Sequence, residues 1–296
     1  MPLFMFLSGY IAVRMRVFDK SQLIKKLKVL IIPFFSWYLI NYFVSGSYKI
    51  VPLLNYFIRL IKAPDEGLWF LWILFVNFFL LYCGLKMEKF WGNKIYPIIC
   101  FLLYLLPIDI LGVGLLKWYF VFFISGYLIA RYKNNLVKYK DGAYWAALII
   151  FCTGIFFWSR LNTPYFILLL IKEIAPNSKL LIKLLPLAYR YAISFSGIAT
   201  CFYITEKASR FKNLKYLIWL APFTIDIYYF HFWFIYSVYG GGQNIAITFF
   251  IALAASLLLA YTIRKIKILD YLLFGRGKPI FSKNTPQELK PTQSGF

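Results

Sequence analysis

Apolar runs long enough to cross a bilayer recur through this 296-residue chain at intervals of about 20 to 30 residues. No other feature narrows the fold so far. A helix needs about 20 residues to traverse ~30 Å of hydrocarbon, and only elements that satisfy their own backbone hydrogen bonds persist there. The expected class is therefore all-α, a polytopic transmembrane helix bundle. Composition agrees: hydrophobic residues make up 61% of the chain, against about 45–50% in soluble domains, and mean hydropathy is +0.69.

About nine spans are expected, near residues 2–13, 29–45, 68–85, 95–111, 115–130, 143–161, 181–204, 217–239 and 245–263. Several of these apolar cores fall short of about 20 residues, so their helices must extend into the flanks or pack as shorter elements. Together they make one membrane domain over residues 1–274. Residues 275–296 are rich in Pro, Gly, Ser and Lys and read as a disordered cytoplasmic tail.

The net charge of +22 would suit nucleic acid, but Lys and Arg gather in loops between apolar runs. That is the imprint of membrane topology, and nucleic acid is set aside as a partner. "RMRVFDKSQLIKKLK", "RYKNNLVKYK", "EKASRFKNLK" and "RKIKILDYLLFGRGK" are strongly basic, "KMEKFWGNK" is milder, and "GVG" and "GGGQN" carry no charge. The positive-inside rule puts the basic set and the C-terminus in the cytoplasm and Met1 outside. Nine spans with an outer start and no signal peptide form an awkward arrangement. One more helix ahead of Met1 would bring both termini inside.

Two outer loops hold more than a turn. "VPLLNYFIRLIKAPDEG" is expected to lie in the interface as an amphipathic helix. "NTPYFILLLIKEIAPNSK" carries an apolar run too short to span, suited to a re-entrant or interfacial piece. There is one internal echo: "FMFLSGYIAVR" at residues 4–14 resembles "VFFISGYLIAR" at residues 121–131. Ser-Gly lets two backbones approach closely, with Tyr and Arg anchoring the interface.

The four cysteines lie in apolar runs without metal spacing, and with a single histidine no metal site is expected. Phosphate-loop, dinucleotide, HExxH and GxSxG signatures are absent. The aromatic residues, 22% of the chain, suit lipid contact and interfacial belts, and some could line a sugar-binding cleft.

Ionisable side chains inside a span are costly and are site candidates by default. Arg190, Asp226 and His231 stand in that position. Thr224, Tyr228 and His231 share one helical stripe, and Asp226 lies about 140° round from His231. His231 reads either as an interior histidine bonded to a neighbour or as an acid–base residue. Arg190 and Asp226 read either as a structural ion pair or as part of a site.

The motifs taken in order resemble those of the membrane-bound acyltransferase-3 family, with the similarity greatest to its fucose 4-O-acetylase-like branch. "MPLFMFLSGY" is similar to its His-Met-Pro-Leu-Phe-Phe-Phe-Ser-Gly-Tyr segment. "KKLKVLIIPFFSWYL" resembles its basic cluster before a Pro at the head of the next helix. "GLWFLWILF" resembles its Leu-Trp-Phe-Leu motif, and "FTIDIYYFHFWFIY" its late Ser-x-x-x-Tyr-x-x-His segment.

The resemblance implies ten helices with both termini cytoplasmic, in the cell (inner or plasma) membrane. It implies transfer of an acyl group, usually acetyl from cytoplasmic acetyl-CoA, to hydroxyls of a surface polysaccharide or lipid-linked glycan. The motifs place His231 and Tyr228 on matching positions; with Arg190 and Asp226, which are candidates as ionisable residues within spans, they are the expected catalytic residues, with Lys25, Lys26 and Lys28 for the donor's phosphates and Trp69 and Phe70 for substrate. The family's first helix, with an Arg and its main histidine, has no counterpart here, so a copy lacking that helix is expected. A transporter or flippase for lipid-linked sugars, with Arg190 on a phosphate, is the alternative reading, and an inactive scaffold a third.

Overall fold

The computed structural model describes residues 1–13, 19–64, 68–108, 110–136, 140–158, 163–174, 178–208, 223–239 and 245–275. Among them there is no strand, and the helices follow in the order α1 (Pro2–Ala12), α2 (Lys20–Val44), α3 (Leu53–Lys62), α4 (Trp69–Trp91), α5 (Ile95–Leu105), α6 (Val113–Arg131), α7 (Lys133–Leu136), α8 (Lys140–Ile155), α9 (Tyr165–Ile174), α10 (Lys179–Ala208), α11 (Thr224–Tyr239), α12 (Ile245–Ile263) and α13 (Lys267–Phe274). Among the described residues four stretches are long and apolar enough to cross a membrane: Lys20–Val44, Trp69–Leu105, Val113–Arg131 and Ala246–Ile263. Pro2–Ala12 and Asp141–Ile155 are apolar but shorter. The expected tail beyond Gly275 lies outside the described residues.

Several loops of the sequence reading are helical. The basic cluster does not precede α2 but forms its first turns, and Pro33 sits inside the helix rather than at its head. Lys, Gln and Leu favour helix, so nothing stops it from starting early. Pro33 costs one bond, the one its missing N–H would have made to the carbonyl of Val29. Likewise α4 runs through Lys86–Lys89 to Trp91, because no Gly or Pro falls between Gly84 and Gly92, the latter at φ +56. The segment at residues 51–67 contains a helix as expected, α3. The short outer run forms α9, and the last basic loop contains α13.

The chain divides into two compact units, Met1–Leu23 with Val76–Leu214, and Ile24–Phe75 with Lys215–Phe296. In the first unit α1 packs on α6 at the two echoed Ser-Gly positions. A Cβ on Gly9 would come within 1.9 Å of the Phe123 carbonyl oxygen, and one on Gly126 within 2.1 Å of that of Phe6. The pairing is reciprocal, since Phe6 and Phe123 occupy equivalent places in the echo. Phe78 of α4 meets Phe123 edge-on at 5.2 Å, and buried Asn77 donates to the sulfur of Met5 at 3.5 Å. At the end of α6, Arg131 pairs with Glu88 at 2.6 Å, which also accepts from Tyr96 at 2.8 Å. Gly154 of α8 leaves room for Ile193 of α10, and the Tyr189 hydroxyl donates to the Gly154 carbonyl at 2.6 Å.

The second unit is built on α2. Tyr38 stacks on Tyr56 of α3 at 4.2 Å and donates to its carbonyl at 3.1 Å, while Tyr42 donates to Val51 at 2.8 Å. Trp37 stacks on Tyr229 of α11 at 5.5 Å, meets Phe230 edge-on at 4.9 Å, and donates Nε1–H to the Leu273 carbonyl of α13 at 2.9 Å. Gly275, at φ +65, then lies against the Val29 backbone, where a Cβ would meet the carbonyl oxygen at 2.7 Å. That carbonyl is the one Pro33 leaves without its helical donor.

Candidate functional site

All of the candidate residues except Arg190 fall in the second unit. Helix α11 organises them, because its two faces do different work. Thr224, Tyr228 and His231 follow at +4 and +3 and form one stripe; Asp226, Tyr229 and Phe230 follow at +3 and +4 and form another.

On the first stripe, the Tyr228 ring lies 5.8 Å from the His231 ring and 5.4 Å from Phe70 at the start of α4. Trp69 meets Phe70 edge-on at 6.3 Å. The late aromatic–histidine motif and the Leu-Trp-Phe motif, well over a hundred residues apart in sequence, are therefore neighbours. Half-buried His231 directs Nδ1 at the carbonyls of Ile227, at 3.0 Å, and Tyr228, at 2.8 Å. Carbonyl oxygens only accept, so Nδ1 carries the hydrogen, and in the neutral ring Nε2 keeps its lone pair.

The second stripe is buried. Asp226 is fully buried and is gripped by Arg264, whose Nη2 reaches both carboxylate oxygens at 2.6 Å and whose Nε reaches Oδ2 at 3.0 Å. Arg264 follows the last residue of α12, and its Nη1 lies 3.4 Å from Asp270 of α13. The Phe274 ring covers the guanidinium at 4.6 Å. Arg264 and Asp270 are 8% and 3% exposed, which is why this cluster cannot be read as a solvated loop charge. Stranding one member of such a pair costs about 3–5 kcal/mol.

Arg264 is the residue that the sequence reading missed. It stands first in the basic run "RKIKILDYLLFGRGK", whose local pattern reads only as a topology signal. The spacing of Asp226 and Arg264, 38 residues apart, holds no pattern that would pair them. Asp226, expected either as part of a site or in a pair with Arg190, belongs to the Arg264–Asp270 cluster. Arg190 sits half-buried on α10 in the first unit.

Lys25, Lys26 and Lys28 occupy one turn near the start of α2. Lys25 and Lys28 are exposed and Lys26 is half-buried, so the turn offers three ammonium groups as point charges, an arrangement compatible with phosphate oxygens. Among the described residues no three His, Cys, Asp or Glu side chains converge as a metal site would require.

A family model described as an acyltransferase domain, that of the acyltransferase-3 family, matches residues 1–265. The match runs across both units. No curated protein and no solved structure matches the chain.

Proposed function

The chain belongs to the acyltransferase-3 family and is a membrane acyltransferase; within that class we propose that it is an O-acetyltransferase of a surface polysaccharide or its lipid-linked precursor. Acetyl-CoA is the donor, and the motifs resemble those of the fucose 4-O-acetylase-like branch. The observation that carries the reading is the setting of His231: its Nδ1 faces the carbonyls of Ile227 and Tyr228, which can only accept, and the Tyr228 ring beside it packs in turn on Phe70.

The donor supplies acetyl as a thioester. Nε2 of His231 takes the proton of the acceptor hydroxyl while that oxygen attacks the thioester carbonyl carbon. The carbon–sulfur bond breaks, and the proton passes from Nε2 to the departing sulfur. The products are an acetyl ester and a free thiol, and the imidazole returns to its neutral form. Histidine suits this work because its ordinary pKa lies near neutral pH. Trp69 and Phe70 offer flat apolar faces to a sugar ring. Lys25, Lys26 and Lys28 bind the phosphates of the donor from the cytoplasm, the side that the positive-inside rule assigns them.

Surface glycans from cells with and without the full-length gene provide the test, read by mass spectrometry. A 42-dalton (~42) increment per acetyl group, lost on deletion and restored by the gene, is expected. Unchanged O-acetyl content in cells that express the protein refutes the reading.

A further inference from the structure

Two lines of residues run down α12 and end on different cations. Thr248, Ala252, Ser256, Ala260 and Arg264 follow at intervals of four, and all five are buried. This line packs against α11, where Arg264 grips Asp226. Ile247, Ile251, Leu258 and Tyr261 form an exposed line on a stretch long and apolar enough to cross a membrane. That line ends on exposed Lys265, whose ammonium lies 4.7 Å from the centre of the Tyr261 ring. Tyrosine followed by lysine at the end of a lipid-facing line is how a span meets the headgroups. The ring sits at the boundary, and the lysine stem follows apolar surface until its charge reaches phosphate and water.

Helix α13 extends this exposed surface. Its inner face holds Asp270, Leu273 and Phe274, all buried. Asp270 faces Arg264 at 3.4 Å, and the Leu273 carbonyl accepts from Trp37. Its outer face holds Ile268, Tyr271 and Leu272, which share one side at +3 and +4. All three are exposed, Ile268 to 71%. A helix whose outer side meets water shows the reverse pattern, with its polar groups outward. Here the one acid of α13 is turned inward, and the exposed charges beside the apolar face are Lys265 and Lys267.

We propose that α13 is a lipid-docking helix: Ile268, Tyr271 and Leu272 lie at the acyl-chain boundary of the cytoplasmic leaflet, and Lys265 and Lys267 hold the phosphate of an anionic phospholipid. Two observations choose this occupant. The exposed apolar line of α12, which lipid covers, runs on through exposed Ile266 into the outer face of α13. The charges flanking that face are both cations, on the side that the positive-inside rule makes cytoplasmic, and they complement anionic headgroups. The inner face of α13 holds Arg264 and Trp37, so lipid that seats the helix also braces this packing and stabilises the folded chain. The inference stands apart from the proposed acetyl transfer.

Two measurements on the purified full chain test it. The first is thermal unfolding in detergent micelles with phosphatidylglycerol or phosphatidylcholine added at equal mole fraction. Phosphatidylglycerol is expected to raise Tm above the phosphatidylcholine value by about 3 °C or more. The double variant Lys265→Gln, Lys267→Gln should lose at least half of that rise. The double variant Lys62→Gln, Lys172→Gln, which removes exposed cations of α3 and α9, should keep it. A smaller rise, an equal loss in both double variants, or the same rise from inorganic phosphate without lipid overturns the proposal.

The second measurement locates the apolar face directly. With the native cysteines replaced, Ile268→Cys carries a nitroxide in nanodiscs that contain phosphatidylglycerol. Because Ile268 lies on the outer face, the label leaves the Asp270–Phe274 packing intact. Power saturation should show more collision with oxygen, which concentrates in hydrocarbon, than with a water-soluble nickel chelate. Dominant collision with nickel would put the face in water. Protection from both reagents would put protein over it, the chain's own residues or a second copy. Either result overturns the docking.

Discussion

The proposed role of His231 as a base rests on a bond its own helix makes. By donating Nδ1–H to the carbonyls of Ile227 and Tyr228, the ring is fixed in the tautomer that leaves Nε2 basic. Replacing His231 by Gln keeps a polar side chain of similar reach but removes the base. The expected outcome is a fall of about 10²–10⁴ in kcat, the usual yield of general-base catalysis, with the folded fraction unchanged on size-exclusion chromatography. A kcat within tenfold of wild type in that variant would assign the base elsewhere. The histidine, its stripe with Tyr228 and the 140° offset of Asp226 were all legible in the sequence, because helical geometry alone fixes them. The tautomer and the packing of Tyr228 on Phe70 of α4 were not, since both depend on where side chains settle.

At the scale of elements, two glycines show how close approach is made. Gly9 and Gly126 let α1 and α6 meet backbone to backbone, which is what the repeated Ser-Gly suggested. Alanine at either position would drive a Cβ onto a carbonyl oxygen and force the helices apart. Gly9→Ala and Gly126→Ala are each expected to destabilise the protein by about 1–3 kcal/mol. The double variant should lose less than the sum, because either change already opens the same contact. Thermal unfolding in detergent measures this; fully additive losses would mean that the two positions do not share one interface. The sequence also foretold α3, whose Tyr56 is now seen pinned between Tyr38 and Tyr42. It did not foretell α13. The apolar residues of α13 were masked by a basic run, and Leu273 and Phe274 acquire their partners only when Trp37, Tyr229 and Phe230 are brought to them.

At the scale of the whole molecule, the charge pattern predicts an orientation that can be measured. With the native cysteines replaced, Lys172→Cys on α9 should react with a membrane-impermeant maleimide in intact cells. Asn134→Cys, in α7, should react only after permeabilisation. The opposite pattern would invert the topology and with it the assignment of Lys25, Lys26 and Lys28 to the donor side. The sequence by itself determined the all-helical class, the membrane setting and the family, because hydropathy, helical period and ordered motifs are local properties that survive without knowledge of contacts. Tertiary structure alone decided which charges are solvated and which are buried. Arg264 and Lys265 are adjacent cations in one basic run, yet Arg264 lies beneath Phe274, gripping Asp226 and facing Asp270, while Lys265 is exposed beside Tyr261. Burial depends on what packs on a residue from distant parts of the chain, and no local pattern encodes it.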